Sequence, residues 1–148
     1  MERLPRLLGP ASLLVRIVIG AAFIYAGILK ASDPAAFAIA IEGYQLVPYR
    51  FAYFTALYLP FLEILSGALL IVKRTFLPAA TILTALMIIF TLALITAWAR
   101  GLDIDCGCFG KSGATTEYPG ALLRNMGLLS GLAFLLWAEK YLTIYPKT

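Results

Sequence analysis

Apolar positions in this chain run in long blocks, and polar ones are confined to short breaks between them. The first block, Ala11 to Leu29, is interrupted only by Arg16 and follows the basic leader Met1–Arg6. It is longer than the roughly 7–15 apolar residues of a signal peptide, and no small-residue cleavage site precedes Lys30, so an uncleaved transmembrane helix is predicted. Three further blocks, at 51–72, 76–99 and 120–138, are also about as long as the roughly 20 residues that cross a bilayer. Ser32-Asp33-Pro34 is a helix start, a polar cap followed by proline at the first helical position. The segment it opens, Pro34 to Gln45, is too short to span. Its Phe37, Ile41 and Tyr44 recur at helical spacing, which predicts a short helix lying at the interface before Pro48.

The expected architecture is therefore an all-α membrane protein: a four-transmembrane-helix bundle with a short interfacial helix after the first span, forming one integral membrane domain over residues 1–148. Composition agrees. Of the chain, 61% is apolar and 14% charged, too little polar surface for a soluble domain. The net charge of +4 is spread along the chain and carries no nucleic-acid signal. There is no histidine, which removes the commonest general base and metal ligand. Tyr44, Tyr49, Tyr53 and Tyr58 are expected where amphipathic rings sit at headgroup level. Pro60 is expected to kink the second span, and Gly127-x-x-x-Gly131 permits close helix contact in the fourth.

Four spans put both termini on one side. The leader (Arg3, Arg6), the Lys73-Arg74 turn and the tail (Lys140, Lys147) carry six basic residues; Lys30, Arg50, Arg100, Lys111 and Arg124 make five on the other side. The positive-inside rule then puts the termini in the cytoplasm and the 100–119 loop in the periplasm of a bacterial inner membrane, where disulfides persist.

That loop holds both cysteines of the protein, in Asp103-Ile104-Asp105-Cys106-Gly107-Cys108-Phe109-Gly110. Sulfurs two residues apart bridge only through a sharp turn, which Gly107 allows. The small ring would be a poor staple and a labile, oxidising disulfide. Redox exchange is the favoured reading, against soft-metal binding or an inert bridge. Asp105 and Lys111 are candidates for proton transfer, although nearby carboxylates disfavour a thiolate.

Within the spans, charge is costly and calls for a partner or cavity. Arg16 is expected about 8 Å inside one face and Glu63 about 12 Å from the same face, close enough for an ion pair between antiparallel helices. Gly20, Gly27 and Lys30 share the Arg16 face, which is expected to pack inward with Lys30 near the outer rim.

Gly27-x-x-Lys30, the Pro34–Pro48 segment, Leu59-Pro60-Phe61-Leu62-Glu63, the Asp105-Cys106-Gly107-Cys108-Phe109-Gly110 loop and Arg124-Asn125 together resemble the MauE branch of the DoxX-like redox-associated membrane proteins. The resemblance implies a four-helix membrane protein working with a periplasmic thioredoxin-like partner, as in methylamine dehydrogenase maturation; DoxX relatives are linked to quinone-coupled sulfur oxidation. A single cysteine pair cannot relay electrons across a membrane by itself. The expectation is a membrane thiol–disulfide oxidoreductase with Cys106, Cys108 and Asp105 as the reacting group. Its electrons would pass to a quinone in a cavity lined or supported by Arg16, Lys30, Glu63 and Arg124, or between two soluble dithiols. No metal cofactor is expected. The alternatives are a carrier of thiophilic metal or sulfur compounds and a non-catalytic assembly factor for a periplasmic redox enzyme.

Overall fold

A computed structural model describes residues 3–102 and 118–144 of the chain. Its regular structure over these residues is all helical: α1 (Arg3–Ser32), α2 (Pro34–Gly43), α3 (Tyr49–Ile71), a 3-10 turn (Lys73–Thr75), α4 (Phe76–Ala99) and α5 (Tyr118–Ile144). Apolar stretches of 23 or 24 residues in α1, α3, α4 and α5 are long enough to cross a membrane. At 1.5 Å per residue each measures about 35 Å, more than the roughly 30 Å of a hydrocarbon core. The chain is a multi-pass membrane protein.

The four long helices run up and down. α1 packs on α3 and α5, α3 on α4, and α4 on α5, closing a bundle. Ile19, Phe23, Leu70, Phe76, Leu83 and Leu132 form the centre of its core. Large apolar side chains such as Leu14, Phe61 and Leu123 face outward, as lipid contact requires. The ends of the bundle differ. Ser32, Tyr49, Ala99 and Tyr118 mark what we call the loop end, and Ile71, Phe76 and Ile144 mark the terminal end.

The tightest contact is between α1 and α3, and glycine makes it possible. A Cβ on Gly20 would lie 2.7 Å from the carbonyl oxygen of Gly67, and one on Gly67 2.8 Å from that of Gly20. Further along, a Cβ on Gly27 would lie 2.8 Å from the carbonyl oxygen of Pro60. Small residues thus let two backbones touch in a setting where apolar burial does not drive helix association. The α1 face expected to pack inward does so. In α5 the outcome is divided: Gly131 packs against Ile19, whereas Gly127 has open space around it.

α2 starts as its sequence dictates. Asp33 caps it, the side chain accepting from the Ala36 amide at 3.0 Å, with Pro34 at the first position. Phe37 and Ala38 are buried with Ala56, packed by Ile41, Leu59 and Phe90, so α2 lies on α3 and is met by the Phe90 side chain of α4. Tyr49, Tyr53 and Tyr58 are exposed as expected of headgroup-level rings, but Tyr44 is buried against Ala97. The longer α1 and α5 extend past the expected span limits at both ends, because helical geometry continues into polar residues where hydropathy has already fallen. α3 runs through Pro60 as one element.

Candidate functional site

The charged residues of the spans form two separate sites rather than one. Near the loop end, Lys30 Nζ donates to both oxygens of Glu63, at 2.6 and 2.7 Å, with both side chains almost fully buried. Near the terminal end, Arg16 Nη2 donates to Glu139 Oε2 at 2.7 Å, and its guanidinium lies 4.0 Å over the ring of Phe76. The expected Arg16–Glu63 pair is not formed.

The register of α1 on α3 explains the correction. Gly20 faces Gly67, so Arg16 lies four residues to one side of that contact and Glu63 four residues to the other. Their backbones are therefore offset by about 12 Å along the bundle. Helical side chains also lean towards their own N-terminus. In antiparallel α1 and α3 this turns Arg16 towards the terminal end and Glu63 towards the loop end. Lys30 and Glu63, by the same rule, lean towards one another. Lys30 accordingly points into the bundle instead of out to the rim.

Around this pair the bundle supplies aromatic faces and a small, mostly apolar cavity. Lys30 Nζ lies 5.3 Å from the centre of the Phe37 ring and 5.0 Å from that of Phe90, within the reach of cation–π attraction. Phe37 comes from α2, which thus covers the pair from the loop end. A cavity of about 30 Å³ lies beside it, lined by Lys30, Glu63, Arg124, Asn125, Met87 and Phe90 among others. Buried Asn125 donates from Nδ2 to Thr91 Oγ1 at 3.3 Å, tying α5 to α4. Lys30, Glu63 and Arg124 are therefore brought together, and Arg16 stands apart at the other end.

A quinone was the expected occupant of a cavity formed by these four residues. A cavity of about 30 Å³ has room for one or two waters, whereas small-molecule sites span roughly 300–1,000 Å³. With Arg16 elsewhere and Lys30 occupied by Glu63, this cavity, as the described residues form it, does not fit a quinone ring.

The frame of the cysteine segment is built at the same end. α4 closes on a Schellman motif: Gly101 adopts φ +64°, its amide donates to the Trp98 carbonyl and the Leu102 amide to that of Ala97. Tyr118, the first residue of α5, stacks on Trp98 at 6.2 Å and donates its hydroxyl to the Leu102 carbonyl, so the segment leaves and returns at one place. Arg100 reaches across to the Tyr44 carbonyl and to Gln45 Oε1, each at 3.1 Å. Gln45 itself holds a left-handed φ of 51°. Cys106, Cys108, Asp105 and Lys111 lie outside the described residues.

Sequence reasoning did not single out Glu139, Phe37, Phe90 or Arg100 as site residues. Glu139 sits one position beyond the expected end of the fourth span, where no intramembrane partner is expected. The two phenylalanines are indistinguishable in sequence from lipid-facing ones.

Taken together, the fold and site define a multi-pass helical membrane protein with an intramembrane ion pair beneath the base of a cysteine-bearing segment. A family model described as methylamine utilisation protein MauE matches residues 8–138. The methylamine utilization protein MauE of Paracoccus denitrificans is 31% identical over 121 residues, which cover 80% of this chain and 64% of that relative. The chain thus corresponds to less than two thirds of the relative's length. No solved structure matches. The chain belongs to the MauE family.

Proposed function

We infer that this chain is a membrane thiol–disulfide oxidoreductase serving methylamine utilisation, acting through Cys106 and Cys108 on a periplasmic thioredoxin-like protein. The observation that carries the reading is that the chain's two cysteines stand one residue apart, in a short polar stretch between Leu102 and Tyr118. The hydrogen bond between those two residues, and the Arg100 contacts beside them, support it by giving the stretch a firm base.

The exchange balances without a cofactor. A thiolate of the partner's dithiol attacks one sulfur of the Cys106–Cys108 disulfide, forming a mixed disulfide and freeing the other sulfur. The partner's second thiolate then displaces the chain's sulfur, leaving an oxidised partner and a reduced Cys106/Cys108 pair. Two electrons pass to the chain, and its two thiols take up the two protons that the partner's thiols released. Asp105 is the nearest carboxylate in sequence to carry those protons, with Lys111 beyond it. A second soluble protein disulfide re-oxidises the pair by the same steps, a route supported by the chain's single cysteine pair and by the small size of the Lys30–Glu63 cavity among the described residues.

The test is the redox state of Cys106 and Cys108 in native membranes, trapped by alkylation, with and without depletion of membrane quinone. An unchanged state on depletion, with loss of exchange in Cys106→Ser and Cys108→Ser, supports this reading. A shift to the reduced form on depletion overturns it and makes the quinone pool the oxidant.

A further inference from the structure

The thiol chemistry makes no use of Lys30 and Glu63, and helix docking does not require them either. α1 and α3 are already held by the Gly20–Gly67 and Gly27–Pro60 approaches, contacts that need no charge. Burying two ions is expensive, and apolar residues of the same size commonly serve as well or better where the only task is packing. An ionisable pair inside a membrane that is not needed for packing points to function.

Three features of the site bear on what that function is. Both residues line the cavity of about 30 Å³, whose walls are mostly apolar but which brings Arg124 and Asn125 beside them and has room for a water next to these four polar residues. It is near a surface, since Lys30 lies two residues from the end of α1 and Arg124 six residues into α5, on the loop-end half of the bundle. Its cation has a second source of support, because Phe37 and Phe90 both present their rings to Lys30 Nζ. Neutralising Glu63 would therefore leave Lys30 held by two aromatic faces rather than bare. Among the described residues, the other charged group at the cavity is Arg124 from α5; α4 contributes Phe90 and Met87, with the Thr91 hydroxyl bonded to Asn125, and Phe37 of α2 faces Lys30 Nζ beside it.

We propose that Lys30 and Glu63 form an intramembrane proton-exchange site, filled and emptied from the loop end through water in the Arg124–Asn125 cavity. A hydronium formed at the loop end passes its proton to a Glu63 oxygen, the new O–H bond forming as one hydronium O–H bond breaks and a neutral water is left, while Lys30 keeps its charge. Release reverses the step. The site stands independently of the cysteine exchange and involves no electron transfer.

The test is infrared difference spectroscopy of the full chain in lipid nanodiscs, between the acid and alkaline limits at which the helices keep their circular dichroism. The expected result is a carbonyl stretch of one neutral carboxyl at the acid limit, lost in Glu63→Gln and unchanged in Cys106→Ser/Cys108→Ser. Should Glu63→Gln fail to fold, the comparison is made with Lys30→Met/Glu63→Leu, which removes the pair without leaving a bare charge. A wild-type difference spectrum identical in the carboxyl region to that of the double variant overturns the proposal and leaves the pair a purely structural one.

Discussion

At the scale of single residues, Lys30 and Glu63 carry the sharpest energetic consequence. Each is the other's principal counter-ion, with little water in reach, so removing one partner leaves a charge in a low-dielectric interior. Lys30→Met is expected to destabilise the fold by about 3–5 kcal/mol, the usual penalty for a bare buried charge. Lys30→Met/Glu63→Leu should recover most of that loss, because packing then replaces both ions. Reversible unfolding in mixed micelles, compared across wild type, single and double variants, measures the difference. A double variant as unstable as the single one would mean that the pair, rather than the glycines, holds α1 to α3. Arg16 is a milder case, since its partner Glu139 is partly exposed and Phe76 supports the guanidinium.

At the scale of elements, the α1–α3 seam and the outer face of α5 make a controlled comparison. Gly20→Ala and Gly27→Ala would each place a methyl within 2.8 Å of a backbone oxygen on α3. The helices must part, at about 1–3 kcal/mol for each change, and the Lys30–Glu63 geometry should loosen with them. Gly127→Ala adds the same methyl to open space, where it is expected to be neutral or to stabilise by up to about 1 kcal/mol through helix propensity. Thermal midpoints of the three variants in one detergent check the ranking. The same seam shows where sequence stopped being informative. The spans were legible because length and hydropathy are properties of one segment: 76–99 was read to the residue, and the Asp33-Pro34 start of α2 was read from its capping chemistry. The pairing of Arg16 was not legible. Depth counted from the edge of a hydropathy block ignores both the register that Gly20 and Gly67 impose and the lean of side chains along each helix. Nor could sequence show Tyr44 leaving the aromatic belt, since its burial depends on the chain after α2 meeting Ala97 of α4.

At the scale of the whole molecule, burial changes how the basic residues bear on orientation. Counted along the sequence, the two sides differ by six to five. Lys30, however, is paired inside the bundle, and Arg124 lines its cavity, so neither sits in a flanking loop where positive charge directs insertion. Without them the count along the sequence becomes three (Arg50, Arg100, Lys111) against six (Arg3, Arg6, Lys73, Arg74, Lys140, Lys147). This contrast favours cytoplasmic termini, with Cys106 and Cys108 outside. After mild reduction of intact cells, a membrane-impermeant maleimide should label these two cysteines. In a Cys106→Ser/Cys108→Ser background carrying Lys73→Cys, it should label only once the membrane is opened. The reverse pattern would put the cysteine pair in the cytoplasm, where a reducing glutathione pool opposes a standing disulfide. Exchange with a periplasmic partner would then be ruled out, whereas the α1–α3 pairing and the buried Lys30–Glu63 site would stand unchanged.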